Sequence, residues 1–310
     1  MKIHYSVQTL PPHVKTIVTV GTFDGVHAGH ASILKAMVDK ARTLGGQTVV
    51  LSFDPHPKKV LFPDAEALPQ IQSLDEKTAC LEELGIDHFV MLPFTLEMSR
   101  LTAEDYVKEI LVDGLHATTV FMGYDHRFGK NRTGDIHLMR NLGEIHGFDV
   151  EQMAAFAPQD IPISSTKIRS ALQSGNVQLA KQMLGRPFML SGEVIHGQKL
   201  GRTIGFPTAN LQVHGTDKIL PLNGVYAART VIEGKSYAVA LNIGNRPTVA
   251  QERVIHVEGY ILDFSGDLYG KNLTLELHER IREEKKMDGL PALILQLEND
   301  VQWVRDYFSS

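Results

Sequence analysis

The sequence predicts an α/β domain built on a parallel sheet, followed by a small antiparallel β-barrel with a terminal helix. Three observations predict this order. Apolar strand-like runs alternate with segments of helical period through the first half, which is typical of a parallel sheet with covering helices. Short β-rich runs separated by turn residues fill most of the second half, which indicates a small barrel. A helical period then returns near the C-terminus, through Leu293, Leu297, Val301 and Val304.

Length and composition agree with two folded domains. The 310 residues exceed one typical domain, and 43% hydrophobic with 22% charged residues is the balance of a globular protein. A net charge of -5 gives no general attraction to nucleic acid or to an acidic membrane, and we expect neither as a partner. The single cysteine, Cys80, excludes an intramolecular disulfide. Without a signal-peptide pattern or an apolar run of about 18 residues, we expect a cytoplasmic protein.

The first half of the chain alternates in type between residues 15 and 155. Strands are predicted at Lys15–Val20, Thr48–Phe53, His88–Leu92, Thr118–Met122 and Val150–Ala155. Helices are predicted at His30–Leu44, Asp75–Leu84, Ala103–Leu111 and Ile136–His146. This spacing of strands and helices favours consecutive β-α-β units in one parallel sheet.

The character of the sequence changes near residue 185. Strands are predicted at Val225–Ile232, Tyr237–Ile243, Val254–Leu262 and Leu273–Leu277. No helix is predicted between Phe188 and Glu279, and the last helix is predicted within Leu290–Tyr307. We therefore predict a first domain over residues 1–184 and a second over residues 185–310.

The first candidate site is the segment GTFDGVHAGH at residues 21–30, which directly follows the first predicted strand. A glycine-bearing turn before a helix suits phosphate, because the first turn of a helix offers unpaired N–H groups and glycine lets a ligand approach the backbone. His27 and His30 are three residues apart, so they can share one face and donate to phosphate oxygens. The alternative is a pair of ordinary turn histidines. Zinc is disfavoured, because it normally takes three or four ligands.

Three further segments follow later elements of the first domain. They are FDPHP at residues 53–57, GYDHRFG at 123–129 and ISSTKIR at 163–169. Strand ends of this kind form the ligand-binding edge of α/β sheets. Ser165 and Thr166 lie at a predicted helix start with Arg169 one turn further on, which is a possible second phosphate clamp. The alternative is that these hydroxyl residues only cap the helix.

The second candidate site lies in the segment from Gly192 to Asn210. Neither a P-loop nor a GxGxxG pattern occurs in the chain, so these two kinds of nucleotide-binding loop are excluded. Thr208 and Asn210 are two residues apart, so an extended backbone points both side chains the same way and both oxygens can enter one Mg²⁺ shell. The alternative is a barrel loop with turn glycines and a rigid proline.

These motifs resemble one known family. GTFDGVHAGH resembles the HxGH signature of the nucleotidyltransferase superfamily, and its FDG-containing form is similar to the N-terminal domain of bacterial bifunctional riboflavin kinase/FMN adenylyltransferases. GRTIGFPTAN at 201–210 resembles the riboflavin kinase signature, and LNIGNRPT at 241–248, VEGYILDF at 257–264, GDLYG at 266–270 and REEKK at 282–286 also match that family. His126 departs from the family by standing where an aromatic is frequent, and Met287 stands where phenylalanine is usual. The resemblance implies a Rossmann-like first domain.

The resemblance also implies roles for individual residues. Glu258 is the implied general base of the kinase, and His27, His30 and Arg169 are the implied catalytic donors of adenylyl transfer. The residues implied to bind ATP or phosphate are Gly21, Phe23, Asp24, Gly29, Ser165, Thr166, Gly201, Arg202 and Gly205. Those implied to bind flavin are Asp54, Pro55, Asp125, His126 and Phe128, and those implied to bind Mg²⁺ are Thr208 and Asn210.

The implied activity has two steps, in which riboflavin and ATP give FMN, and FMN with a second ATP gives FAD and pyrophosphate. The expected cofactor is Mg²⁺, the expected partners are the small-molecule substrates, and the expected state is a monomer or weak homo-oligomer. Three alternatives stay open. They are a kinase whose adenylyl-transfer domain has decayed, adenylyl transfer to a different phosphorylated acceptor, and a flavin carrier without turnover.

Overall fold

The computed structural model describes residues 1–11, 15–64, 68–154, 163–197, 200–245 and 255–309. The chain divides into two compact units. The first consists of Met1–Leu68 and Lys77–Ile163, and the second of Pro69–Glu76 and Ser164–Ser310. No helix in the described ranges combines the length and the apolar character needed to cross a membrane.

The first unit is a six-stranded parallel sheet with helices. Its strands are β1 (Lys2–His4), β2 (Thr16–Val20), β3 (Gln47–Asp54), β4 (His88–Pro93), β5 (Ala117–Met122) and β6 (Asp149–Gln152). Their order across the sheet is β1-β4-β3-β2-β5-β6, and every pairing is parallel. Its helices are α1 (Ala28–Leu44), α2 (Pro57–Leu61), the greater part of α3 (Leu74–Glu83), α4 (Ala103–Tyr106) and α5 (Ile136–His146). The fold class predicted for this half is confirmed.

Apolar residues on alternating sides of the strands build two cores, one on each face of the sheet. Val49 and Leu51 of β3 enter one core, whereas Val50 enters the other. Helix α1 covers the Val50 face with Leu34 and Met37, both fully buried. A strand that is buried on both faces is expected to be a continuous apolar run, and β3 has that character.

The sequence misses parts of the first unit. β1 and α2 were not predicted, and the helix predicted at Ala103–Leu111 continues from α4 as a π-helical segment, Val107–Gly114. The strand predicted to reach Ala155 is formed only over β6, and residue 155 lies outside the described residues.

The second unit contains a closed six-stranded barrel, as predicted. Its strands are β7 (Phe188–Ile195), β8 (Thr208–Val213), β9 (Gly224–Ile232), β10 (Lys235–Asn245), β11 (Ile255–Ile261) and β12 (Asn272–Arg282). They close in the order β10-β11-β8-β7-β12-β9 with antiparallel pairings. Helices α6 (Ser165–Gln173), α7 (Val177–Leu184), α8 (Leu200–Thr203) and α9 (Leu290–Ser309) complete the unit. The prediction that no helix interrupts the strands is wrong, because α8 lies between β7 and β8.

The compact units divide the chain at a different place from the predicted boundary after residue 184. Helices α6 and α7 belong to the second unit, where α7 packs on β7 and β12. The backbone N–H of Leu222 also donates to Leu172 O in α6, at 3.0 Å. A change in local sequence character near residue 185 does not reveal which unit a preceding helix packs against.

The short segment Pro69–Glu76 comes from the first half of the chain but belongs to the second unit. Its Gln70 N–H donates to Asp217 O at 2.6 Å, and the Ile219 N–H donates to Gln70 O at 2.8 Å. The carboxylate of Glu76 forms an ion pair with Lys218, with both side chains almost fully buried. Lys218 Nζ also donates to Ile71 O at 2.7 Å, so the ammonium is satisfied by two groups from this segment.

Candidate active sites

The first site lies where the strand order of the parallel sheet reverses. β2 pairs with β3 on one side and with β5 on the other, so the loop leaving its carboxyl end stands at the switch point where open α/β sheets bind ligands. The loop from Gly21 to His27 occupies this position, and α1 begins at Ala28. Phe23 and Val26 adopt positive φ angles of 44° and 35°, so the loop turns sharply.

The two histidines of this loop lie face to face. Their ring centroids are 3.6 Å apart, with an interplanar angle of 11°. His27 is the N-cap of α1, and its side chain accepts a hydrogen bond from the backbone N–H of His30 at Nδ1, over 3.2 Å. Because Nδ1 accepts, a neutral His27 carries its proton on Nε2, which can then donate to a ligand.

His30 is held in its neutral form. Burial lowers its pKa well below the ordinary value, and the charges of His27 and Lys77 act in the same direction. Its Nδ1 is buried and has no hydrogen-bond partner within the described parts of the chain. Phe23 packs edge-on against the ring at a centroid distance of 5.0 Å. The pair therefore places a neutral His30 ring and the His27 imidazole at the start of a long helix.

The remaining residues of the loop divide into buried and accessible ones. Phe23 and Asp24 are buried, at 3% and 1% exposure, whereas Gly21 and Gly29 are partly exposed. The phenyl ring of Phe23 is thus a support for His30 in this structure. A Cβ at Gly21 would approach that ring to 3.1 Å, so glycine is needed for the close packing.

A lysine that the sequence analysis did not single out lies beside this loop. Lys77 Nζ donates to the carbonyl oxygen of Thr22 at 2.9 Å. Burial lowers the pKa of Lys77, and the carboxylates of Asp24 and Asp54 act in the opposite direction. The carboxylates come from the ends of β2 and β3, so this edge of the sheet collects two acids, two histidines and one buried amine.

The segment FDPHP follows β3 at the same edge. Asp54 is the last residue of β3, and Asp54 and Pro55 are both exposed. His56 caps α2 by accepting from the Lys58 N–H at 3.1 Å. The predicted flavin-binding residues of this segment are therefore open to a ligand.

The segment GYDHRFG follows β5, on the other side of β2. Asp125 is exposed and His126 is partly buried. Phe128 is only 6% exposed, and it packs near Tyr106 at a centroid distance of 6.0 Å. A Cβ at Gly134 would approach the Phe128 ring to 2.6 Å, which shows how closely the loop returns over it. Phe128 thus lies mainly in the core, with little of its ring open to a ligand.

The segment ISSTKIR starts α6 in the second unit. The N-cap is Ser164, whose hydroxyl accepts from the Lys167 N–H at 3.3 Å, so the capping role considered for Ser165 and Thr166 belongs to Ser164. Both are partly or fully exposed. Arg169 is 8% exposed, and its Nε donates to Pro69 O at 2.7 Å. The inserted segment therefore holds one edge of the Arg169 guanidinium.

The second site is a cavity of about 320 Å³ in the second unit. Three neighbouring barrel strands supply part of its polar lining, through Thr208 and Asn210 of β8, Asn242 of β10 and Glu258 of β11. Charged side chains also line it, namely Arg282, Glu284, Lys285 and Asp300, and its apolar lining includes Met287 and residues of α9. An apolar wall facing a few convergent polar groups is typical of a small-molecule site.

Strand register places these polar groups side by side. Glu258 is directly opposite Asn210 on one neighbouring strand and directly opposite Asn242 on the other. Thr208 is opposite Tyr260, two residues further along the same strands. Directly opposed residues in a sheet have their Cβ atoms about 5 Å apart, so the carboxylate stands between two amides.

A second cavity adjoins the first. It has a volume of about 440 Å³ and is lined by Pro207, Thr208 and the turn from Phe264 to Tyr269. Thr208 lines both cavities. Thr208 is therefore a residue at which the two cavities adjoin.

Glycines let the backbone come close to the site residues. A Cβ at Gly197 would overlap the side-chain amide of Asn210, and one at Gly201 would overlap Phe206 O. Gly205 has a φ of +87°, which favours glycine. Arg202 belongs to α8, but its side chain lies outside the described residues.

An ion pair fixes the wall of the first cavity. Arg282 donates through Nε and Nη2 to the two oxygens of Asp300, at 2.8 and 2.6 Å. Asp300 is 3% exposed, and Gln296 also donates to it at 2.9 Å. This bidentate contact ties α9 to the end of β12. The apolar side of the helix is thereby held against the cavity.

The comparisons with known proteins match the two halves of the chain to two family models. A family model described as FAD synthetase matches residues 10–167, and one described as riboflavin kinase matches residues 184–308. A bifunctional riboflavin kinase/FMN adenylyltransferase from Pseudomonas fluorescens is 39% identical over 295 residues, covering 95% of this chain and 94% of that protein. The chain belongs to the bifunctional riboflavin kinase/FMN adenylyltransferase family.

Other members of this family and a solved structure extend the likeness. The Bacillus subtilis member is 35% identical over 300 residues, covering 96% of this chain and 93% of that protein. A crystal structure described as a macrolide-efflux protein from Streptococcus pneumoniae is similar with a TM-score of 0.89 and 28% identity, and the match covers 98% of each chain. The similarity to this crystal structure confirms the predicted fold class, an α/β domain followed by a β-barrel.

Sequence reasoning missed residues whose role depends on packing. Asn242 was quoted within a family motif but received no role, because its place beside Glu258 depends on strand register. Arg282 was likewise only part of a matching segment. Lys77 lies about 50 residues from Thr22 in a helix of ordinary composition, so only the folded chain brings the two together.

Proposed function

We propose that the chain makes FAD in two steps, with phosphorylation of riboflavin in the second unit and adenylyl transfer to FMN at the HxGH site. The observation that carries the proposal is the pair of adjoining cavities that share Thr208, one of which contains Glu258. Two substrates that exchange a phosphoryl group need this arrangement. A pure flavin carrier needs only one cavity.

In the kinase step, the cavity containing Glu258 would hold riboflavin, with the flavin ring against the apolar wall of Met287 and α9. The other cavity would hold ATP. Glu258 would accept the proton of the terminal ribityl hydroxyl as that oxygen attacks the γ-phosphorus and the bond to the bridging oxygen of ADP breaks. Asn210 and Asn242, on either side, would keep the carboxylate in place.

The polar groups at Thr208 and Asn210 fit Mg²⁺. Both offer neutral oxygens from the same face of β8, and the missing Cβ at Gly197 leaves room for the Asn210 amide. Among the described residues, no group of three His, Cys, Asp or Glu side chains forms a metal site, so ATP phosphates and water would complete the shell. Bound Mg²⁺ would supply charge neutralisation for the transferred phosphoryl group.

In the adenylyl-transfer step, a phosphate oxygen of FMN would attack the α-phosphorus of ATP, and pyrophosphate would leave. His27 Nε2–H and the neutral His30 ring would donate to the oxygens on which charge develops. Asp125 and His126 after β5, and Asp54 and Pro55 after β3, would contact the flavin nucleotide. For Ser165, Thr166 and Arg169 we propose the phosphate-binding role that the family resemblance implies.

The test is to incubate the pure chain with ATP and Mg²⁺, starting from riboflavin in one reaction and from FMN in another, and to separate the flavins by chromatography. FAD from both starting points is the expected result. FMN without FAD would leave a kinase alone, and tight flavin binding without any product would favour a carrier. A parallel series with other phosphorylated acceptors addresses the acceptor specificity.

We further propose a cytoplasmic location and a monomeric or weakly oligomeric state. The domain roles would follow the matched regions, with adenylyl transfer in residues 1–184 and the kinase in residues 185–310. Cell fractionation and light scattering of the pure chain test the first two points. A membrane-bound fraction or a stable oligomer at micromolar concentration would contradict them.

A further inference from the structure

Lys77 is a charged side chain with a defined place beside the HxGH loop. It lies on α3 and is partly buried, and its Nζ reaches back to Thr22 O over 2.9 Å. Ser52 Oγ at the end of β3 donates to the same oxygen at 3.3 Å. Thr22 O is the one hydrogen-bond acceptor of this ammonium among the described residues, which leaves N–H groups for a ligand.

Lys77 lies near two carboxylates and near a histidine for which we propose phosphate binding. Asp24 and Asp54 are its acidic neighbours, and they act on it electrostatically together with a strong effect of burial. His30 is close enough for its protonation to be opposed by the ammonium. A triphosphate that reaches the histidines must therefore approach two carboxylates, which repel it unless a cation balances them.

We propose that Lys77 is a positioning residue for adenylyl transfer, which tethers the HxGH loop through Thr22 O and balances Asp24 and Asp54 where the triphosphate binds. This role rests on the adenylyl-transfer function proposed above. Burying an ammonium group without partners costs free energy. The hydrogen bond to Thr22 O and the carboxylates of Asp24 and Asp54 therefore stabilise the Lys77 ammonium at this place. A neutral side chain of the same length would remove the positive charge on which Asp24 and Asp54 act.

The test compares three variants of the full chain, Lys77→Met, Lys77→Gln and Lys77→Arg. Glutamine keeps an N–H donor for Thr22 O but lacks the charge, whereas arginine keeps both. Lys40→Met is the matched control, because Lys40 lies on α1 in a partly exposed ion pair with Glu151. FAD formation from FMN is measured at varied ATP, and FMN formation from riboflavin in the same preparation reports on folding.

The expected result is an ATP KM raised about 10- to 100-fold in Lys77→Met and Lys77→Gln, with near-normal values in Lys77→Arg and Lys40→Met. Kinase activity should stay unchanged in all four variants. A Lys77→Gln variant with the wild-type ATP KM, or a Lys77→Arg variant as impaired as Lys77→Met, overturns the proposal. If Lys77→Met loses both activities, the ATP KM values of Lys77→Gln and Lys77→Arg still test the proposal.

A charge-restoring double variant separates balancing from tethering. Adding Asp54→Asn to Lys77→Met should lower the ATP KM relative to Lys77→Met alone, because one carboxylate is removed with the cation. No recovery would overturn the charge-balancing part. Wild-type chain that makes no FAD from FMN would instead contradict the proposed function itself, so the two failures are distinguishable.

Discussion

In the first unit the candidate site is built from loops, whereas in the second it is built from the strands themselves. The loops after β2, β3 and β5 meet because parallel strands end at the same edge of the sheet. Glu258, Asn210 and Asn242 meet because antiparallel register sets them side by side. The comparison teaches that one site depends on backbone turns and helix starts, and the other on pairing of strands.

The two sites also differ in the surroundings of their main candidate residues, His30 and Glu258. The HxGH loop holds His30 neutral through burial and neighbouring positive charges. Glu258, in contrast, lies between two amides at the wall of an open cavity. Each site can therefore be damaged alone, and the other activity of the same chain serves as its control.

The largest expected effect is in the kinase site. Glu258→Gln should lower FMN formation by a factor of about 10² to 10⁴, because the proton acceptor of the ribityl hydroxyl is removed. FAD formation from FMN should be unchanged. Steady-state assays of both reactions check this, with the exposed Glu298→Gln in α9 as the control. A variant that phosphorylates riboflavin at the normal rate contradicts the role of Glu258.

The converse experiment addresses the first unit. His30→Ala should lower FAD formation by a factor of about 10² to 10³, because a donor to the developing phosphate charge is lost. FMN formation should stay normal. The exposed His137→Ala, at the start of α5, is the matched control in the same two assays. Equal loss of both activities would show that the sites are not independent.

A smaller effect is expected from Gly197, whose backbone lies against the proposed Mg²⁺ ligand Asn210. Gly197→Ala should displace the Asn210 amide and raise the Mg²⁺ concentration needed for half-maximal kinase activity by about tenfold. Gly234→Ala, at the turn between β9 and β10 where φ is +79°, strains the backbone without touching Asn210, so the Mg²⁺ requirement should stay unchanged. A Mg²⁺ titration of FMN formation compares the two variants. Identical curves would argue against Asn210 as a metal ligand.

The smallest effect concerns stability against acid. Burial and then the charge of Arg132 lower the pKa of His126 to about 4, against the opposing effect of Asp125. Between pH 6.5 and 4 the unfolded chain therefore binds a proton that the folded chain does not, so stability falls as the pH falls through this window. His126→Gln should reduce the loss of stability between pH 7 and pH 5, measured by urea unfolding. The same pH dependence in both proteins would refute this.

The elements with long apolar runs could be predicted from the sequence, and the short or partly exposed ones could not. β2 to β5 were placed closely, because each is a run of buried apolar residues. β1 has three residues, of which only His4 is buried, so it carries no visible pattern. The predicted boundary after residue 184 follows a change in sequence character, whereas the compact units place α6 and α7 with the barrel.

The site motifs could be placed from the sequence, but their internal arrangement could not. GTFDGVHAGH and PTAN were found as motifs, yet the face-to-face histidines and the amides around Glu258 depend on loop geometry and register. The burial of Phe23 and Phe128 was also not visible from sequence. An aromatic residue in a motif can contact the ligand, or it can support the loop that carries the contacts. The sequence alone does not distinguish these two roles.

The insertion of Pro69–Glu76 bears on how the kinase half can be produced alone. A fragment starting at Ser164 or at Gly185 lacks this segment, and with it the Glu76 carboxylate and the Ile71 carbonyl that contact the buried ammonium of Lys218. The strand-like contact of Gln70 with Asp217 and Ile219 is lost as well. Such a truncated product should be less stable than the same residues in the full chain. Supplying residues 69–76 as a peptide should restore part of that stability.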